Sequence, residues 1–210
     1  MINILIADNH PIIRLGMSVV FESTEDFSLL DTVSHTEALF NAVDKTNPDI
    51  VILELDIPEI NGIAALRRLK RHYPNIKVLI YSAQPENVYA LSCIKAGAYG
   101  YLPKTARIDQ ILTALHQISQ GKIYLSSAIA TTLKSDASKE SENQIRFKKL
   151  SSREIEVLKL LSSGKKNKEV AEGLDINEKT VSTYKARLMK KLGVSNIVDL
   201  LQQARALELY

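Results

Sequence analysis

Tryptophan is absent from the 210 residues and cysteine occurs once, at Cys93. A single cysteine excludes an internal disulfide and any cysteine-built metal cluster, and on its helix beside Leu91 and Ile94 it reads as a packed small hydrophobe. Histidine is scarce too. His10, His35, His72 and His116 are scattered without a ligand spacing, so no structural metal is expected. No apolar run approaches the roughly 18 residues of a membrane span. The N-terminal MINILIAD meets a charge at Asp8 where a secretory signal would stay apolar, so a cytoplasmic protein without a membrane partner is expected. The first apolar run leads into ADNHP and not into GxGxxG, so the glycines that let a backbone approach a pyrophosphate are missing and a dinucleotide site is rejected.

The charge that is present divides unevenly. Residues 1–125 hold 11 Lys and Arg against 13 Asp and Glu, whereas residues 126–210 hold 16 against 11. A mildly acidic part followed by a basic one points to two domains, the second being the candidate for nucleic acid.

The first part alternates short β-type runs with helical apolar spacing. Ile2 to Ala7, Phe27 to Val33, Ile50 to Leu53, Lys77 to Tyr81 and Tyr99 to Leu102 read as strands. Pro11 to Phe21, Glu37 to Lys45, Gly62 to His72, Glu86 to Lys95 and Ile108 to Ser119 read as helices. Five βα units predict an α/β fold, a doubly wound five-stranded parallel sheet with helices on both faces. In DIVILELDIPEING, residues 49–62, an apolar run buried on both faces ends at a turn carrying Glu54, Asp56 and Glu59, where an open α/β sheet forms its crevice. Arg67, Arg68, Lys70 and Arg71 read as a solvated helix face.

Residues 126–147 read as a linker, with a short helix at 126–134 and a polar stretch, SDASKESENQIR, that has little to bury. From residue 148 a small all-α domain is predicted: REIEVLKLL behind a serine cap, then NKEVAEGL, a DIN turn and EKTVSTYKARLMKKL. On this last helix Val181, Tyr184, Leu188 and Leu192 form one stripe. Lys179, Ser182, Thr183, Ala186, Arg187 and Lys190 lie opposite, and the 15 residues from Glu178 to Leu192 carry five cations against one acid. Short polar groups near a helix N-terminus with cations further along suit insertion into the DNA major groove.

LSSREIEVLKLLSSGKKNKEVAEGLDINEKTVSTYKARLMKKLGVSN closely resembles the LuxR-type helix-turn-helix. The N-terminal half, opening ADNHPIIRLGM, resembles the receiver domain of two-component response regulators. The resemblance implies a transcription regulator of the NarL/FixJ class, with a receiver at 1–125 and the output domain at 148–210, and it is no enzyme. Lys168, Lys179, Thr180, Ser182, Thr183, Lys185, Ala186, Arg187 and Lys190 would face double-stranded DNA. The chain would act as a homodimer, with the terminal helix from Asn196 to Leu207 pairing the output domains or else burying Ile197, Leu200, Leu201 and Ala204 in the core, and RNA polymerase stays open as a partner.

The receiver's chemistry departs from the family. Two adjacent acids, an acceptor aspartate, a Ser or Thr and a Lys are implied, with an aromatic switch residue. The chain has Asp8 and Asn9, Glu54, Ser82 and Lys104, with Tyr101 as the aromatic. Glu54 lengthens the acceptor by a methylene, and a misplacement of about 1 Å can cost on the order of 100-fold in rate. Asn9 removes a charge from the metal site, so Mg²⁺ at Asp8, Glu54 and Asp56 would be weak at best and no cofactor is expected. Glu54 also reaches further towards Ser82 and Lys104, where an ion pair could imitate part of the phosphorylated state. Phosphorylation-independent control is therefore expected and a sensor histidine kinase is not counted among the partners. The alternatives are phosphorylation at Glu54 or Asp56, and a receiver that serves only for dimerisation.

Overall fold

The computed structural model describes residues 1–126, 129–130 and 150–205, so the polar stretch at 135–146 and most of the 126–134 helix expected from the sequence lie outside the described residues. The chain divides into two compact units, one built on the sheet and one on the C-terminal helices.

The sheet contains β1 (Ile2–Ala7), β2 (Phe27–Val33), β3 (Ile50–Leu53), β4 (Lys77–Ser82) and β5 (Gly100–Pro103), all parallel in the order β2-β1-β3-β4-β5. Between and after them run α1 (Pro11–Glu22), α2 (Thr36–Thr46), α3 (Gly62–His72), α4 (Glu86–Lys95) and α5 (Ile108–Ser119). β3 is apolar throughout because it is central and covered on both faces. Ile50 and Ile52 join Ile4, Ile6, Leu79, Tyr81 and Leu102 in one core cluster with Met17 and Phe21 of α1 and Ile111, Leu115 and Ile118 of α5. The alternate residues Leu5, Val51, Leu53, Val78 and Ile80 point to the other face and are just as fully buried. The chain reverses direction across the sheet between β1 and β3, which places a crevice at their carboxyl ends.

Two loop features fix the end of β3. A Cβ on Gly62 would lie 2.5 Å from the Glu54 carbonyl oxygen and 2.6 Å from Leu55 Cα, so only glycine lets α3 start this close to the strand. Glu59, at φ 76°, turns back so that its Oε2 accepts from the Glu37 amide at 2.8 Å and the Thr36 hydroxyl at 3.1 Å. That amide bond, with the Thr36 bonds, holds the Glu59 carboxyl below its ordinary value. A cap supplied from 22 residues away starts α2 at Thr36, one residue before the periodicity alone suggests.

The second unit contains α6 (Ser152–Ser162), α7 (Asn167–Gly173), α8 (Glu178–Leu192) and α9 (Ile197–Arg205) around Ile155, Leu158, Val170, Val181, Leu188, Leu192, Leu200 and Ala204. Gly164 and Gly193, at φ 83° and 69°, end α6 and α8 in the left-handed conformation that suits glycine. Glu154 ties the first of these helices to the end of the third. Its Oε2 accepts from the Ser151 amide at 2.7 Å, the Ser151 hydroxyl at 2.9 Å and Lys191 Nζ at 2.7 Å.

Burial pushes the Glu154 carboxyl up, but the Lys191 ammonium and then the Ser151 donors outweigh it and hold the group below its ordinary value. A depressed folded value gives stability that is present above the unfolded carboxyl range and lost as pH falls through the folded one. Glu154→Gln is expected to lower the stability of this unit at neutral pH by about 1 kcal/mol, the usual worth of a helix cap. It should also flatten the acid limb of its stability. Thermal melts of both proteins between neutral and acid pH check this; parallel curves would contradict it.

Candidate functional site

The crevice at the ends of β1, β3, β4 and β5 is filled by one ion-pair cluster. Asp8, Glu54 and Ser82 are 2%, 1% and 0% exposed, and Lys104 reaches in from the end of β5. Lys104 Nζ lies 2.9 Å from Asp8 Oδ2, 3.0 Å from Asp8 Oδ1 and 2.6 Å from Glu54 Oε2. The last is an ion contact too bent to count as a hydrogen bond. The ammonium is also 2.8 Å from His10 Nδ1, which itself lies 3.0 Å from Asp8 Oδ1. Glu54 Oε1 accepts from the Leu55 amide at 2.6 Å, the Asp56 amide at 3.1 Å and the Ser82 hydroxyl. The two oxygens of one carboxylate thus meet two amides, a hydroxyl and an ammonium.

The neighbouring groups follow from this packing. Tyr101 is fully buried and its hydroxyl donates to the Gln84 carbonyl at 2.7 Å. The Gln84 side-chain amide donates to Asp56 Oδ2, and Asp56 is exposed at the edge of the cluster. Arg14 Nη1 donates to the Asp8 carbonyl at 2.6 Å. Asp8, Glu54, Ser82 and Lys104 come together as the sequence suggests, while Asp56 and Tyr101 flank them. His10, which precedes Pro11 as in the family, joins the network, and Gln84 joins it without a motif to announce it, since a glutamine after β4 has no signal until β3 and β4 are paired.

The groups spaced to hold a metal ion are Asp8, His10 and Glu54, with ligand atoms within 4.8 Å of one another. The Lys104 ammonium lies within 3.0 Å of an atom of each of the three and competes with a divalent ion for the two carboxylates. Asn9 adds only a neutral amide oxygen, buried and without a hydrogen-bond partner among the described residues. Magnesium favours near-octahedral oxygen coordination at about 2.0–2.1 Å. An ammonium already placed among the carboxylates, with only one other acid nearby, suits it poorly.

In the helical unit, α8 buries Val181, Leu188 and Leu192 and exposes Lys179, Ser182, Thr183, Ala186, Arg187 and Lys190. Asn177 caps it, its Oδ1 accepting from the Thr180 amide at 2.8 Å and hydroxyl at 2.9 Å. Thr180 is thereby half-buried and committed to the helix start, and Lys185 is likewise half-buried at the flank. Lys191 is exposed, with its ammonium paired to the buried Glu154. Lys168 is exposed on α7, and Asn167 Nδ2 lies 3.3 Å from Ser182 Oγ, linking the two helices of the turn motif. The basic run on α3 proves partly structural: the Arg68 guanidinium stacks 3.9 Å over the Phe40 ring, and Lys70 Nζ donates to the Pro74 and Ile76 carbonyls. Among the described residues no helix is long and apolar enough to cross a membrane.

Residues 4–116 match the response regulator receiver domain, and residues 148–204 match the luxR family of bacterial regulatory proteins. The Fimbriae Z protein of Escherichia coli K12 is 34% identical over 210 residues, covering 99% of this chain and 98% of its own. RcsB of Salmonella enterica serovar Typhimurium, bound to the promoter P1flhDC in the presence of phosphomimetic BeF3-, superposes with a TM-score of 0.80 at 25% identity, covering 98% of each chain. A structure of two RcsB dimers bound to two parallel DNAs superposes at 0.60 with 26% identity, again over 98% of each chain.

Proposed function

The chain belongs to the bacterial response regulators that join a receiver to a LuxR-family output domain, and from that premise we propose that Glu54 holds its receiver in the switched arrangement without phosphorylation. The chain is a DNA-binding transcription regulator, and double-stranded DNA and a second copy of itself are its partners. The observation that carries the proposal is the double engagement of Glu54 by the Ser82 hydroxyl and the Lys104 ammonium. In the family these two residues stand where a phosphoryl group on the acceptor would meet them. Here the longer carboxylate reaches both directly, and Tyr101, the aromatic switch position, is packed inward beside them.

A phosphoryl group would bring about −1.5 to −2 charges and three acceptor oxygens. The carboxylate has one charge and two oxygens, but it is permanent and already desolvated among its donors. Access for a phosphodonor is poor for the same reason: Glu54 is buried, one oxygen is occupied by three donors and the other faces the ammonium.

Incubation of the whole chain with acetyl phosphate and Mg²⁺ is expected to leave its intact mass unchanged and its DNA affinity unaltered. A stable gain of about 80 Da, the mass of one phosphoryl group, would refute the proposal. Glu54→Asp supplies the comparison. Withdrawing the carboxylate by a methylene opens a gap to Ser82 and Lys104, and DNA affinity is expected to fall.

The exposed face of α8 serves as the DNA-reading surface. Lys179, Arg187, Lys190 and Lys168 supply phosphate contacts, while Ser182, Thr183 and Ala186 present short side chains to base edges. Thr180 and Lys185 stand at the margin, with Thr180 holding the helix start in place.

A further inference from the structure

Past α5 the chain returns to the sheet. Gly121, at φ 78°, reverses its direction, and its amide donates to the Ile118 carbonyl at 2.9 Å. From there the backbone runs parallel to β5: the Tyr124 amide donates to the Tyr99 carbonyl at 2.8 Å, and Tyr124 forms a single bridge with Gly100. A sixth strand has begun here. Gly100 makes room for it, since a Cβ at that position would lie 3.2 Å from Tyr124 Cβ. Tyr124 packs on the core cluster of the sheet, and Ser126 closes the segment, its Oγ accepting from the Ile129 amide at 3.3 Å and its carbonyl from the Ala130 amide at 2.8 Å.

An acid stands beside this segment. Glu86, the first residue of α4, is half-buried, and its Oε1 is wholly covered without a hydrogen-bond partner among the described residues. Burial pushes its carboxyl above the ordinary value, with the Ser126 hydroxyl pulling the other way. The other groups on this side bring it no cation. The Tyr124 hydroxyl is pushed up by burial and then by the charges of Glu86 and Asp109. Asp109 of α5 is held below its ordinary value by its hydrogen bond from Arg107, so it is already ionised where Glu86 titrates.

We infer that residues 122–126 are a strap on the edge of β5, fastened while Glu86 is neutral and loosened when it ionises, so that proton concentration sets where the linker leaves the receiver. Fastened, the linker starts at Ser126, beside the first residue of α4. Loosened, it starts at Gly121, where α5 ends. Residues 122–126 then lengthen the tether by up to about 16 Å, at roughly 3.3 Å per residue. A changed tether changes the effective concentration at which a second site is met. An acid whose proton is held more tightly when the strap is on stabilises the strap fully below the ordinary carboxyl range. That stability is lost as pH rises through the strapped value.

Amide hydrogen exchange of the full chain, read at Tyr124 by NMR and corrected for the intrinsic rate at each pH, is the test. Protection of this amide is expected to fall about 10-fold between about pH 5 and about pH 7.5, as for a tenfold difference in proton affinity between strapped and free Glu86. The Ile52 amide in the central β3 should stay protected throughout, showing that the sheet itself is intact. Glu86→Gln, neutral at both values, should keep the strap protected at both. Asp109→Asn should leave the parent's response unchanged. Equal protection of Tyr124 at the two pH values in the parent overturns the inference. So does a pH response that persists in Glu86→Gln or disappears in Asp109→Asn.

Discussion

Lys104→Met is expected to destabilise the receiver by about 3–5 kcal/mol, the usual cost of removing one partner from a buried ion pair. The ammonium lies within 3.0 Å of Asp8 Oδ1, Asp8 Oδ2 and Glu54 Oε2, and both acids are almost wholly buried. Methionine keeps most of the side-chain volume and removes the charge, leaving two carboxylates facing each other with no cation between them. Glu54→Gln alone should cost less, because Asp8 still balances the lysine. Combining it with Lys104→Met should recover part of the loss, since one buried anion then remains in place of two. Urea unfolding of the full chain measures this, with the helical unit's transition as internal reference. A cost below about 1 kcal/mol would mean that the carboxylates are hydrated well enough without the lysine and that the pair does not hold the crevice.

The second large effect is on DNA. Changing Lys179, Arg187 and Lys190 together to alanine is expected to weaken binding on the order of 100-fold near physiological salt. It should lower the slope of log affinity against log salt by about 2.7, since each phosphate contact contributes about 0.9. The three side chains are exposed, so the fold should survive and circular dichroism should be unchanged. Lys191→Ala should behave otherwise, because that ammonium belongs to Glu154: it should lower stability and barely change the salt slope. Fragment selection from random DNA followed by titration at several salt concentrations separates the cases. Undiminished affinity in the triple variant would remove α8 from the interface.

The strands were legible because a parallel sheet covered on both faces demands unbroken apolar runs, and IVIL at residues 50–53 is such a run. The α8 stripe was equally legible, since Val181, Leu188 and Leu192 are fully buried at the positions helical periodicity assigns them. Tyr184 is only half-buried at the edge of that stripe. Boundaries were harder where the deciding group comes from elsewhere: α2 begins at Thr36 because Glu59 reaches its first amides, a long-range bond that no local pattern contains. The crevice was legible as a set of residues and only partly as an arrangement. Asp8, Glu54, Ser82 and Lys104 could be named in advance, but the position of the ammonium among all the candidate metal ligands depends on how far Lys104 extends. Charge counting also overstated the basic helix, because one of its five cations, Lys191, is paired with Glu154.

The carboxylate of Glu54 is attached by carbon–carbon bonds, and under the proposed role of Glu54 that sets how such a regulator can be turned down. A phosphoryl group leaves by hydrolysis and resets its carrier within the lifetime of the molecule; a glutamate side chain leaves only when the polypeptide is destroyed. On the proposed reading of Glu54, control passes from a transferred group to copy number, through the rates at which the chain is synthesised and degraded. For a protein that works in pairs, output at low abundance rises with the square of its concentration, so a modest change in expression becomes a steeper change at the promoter.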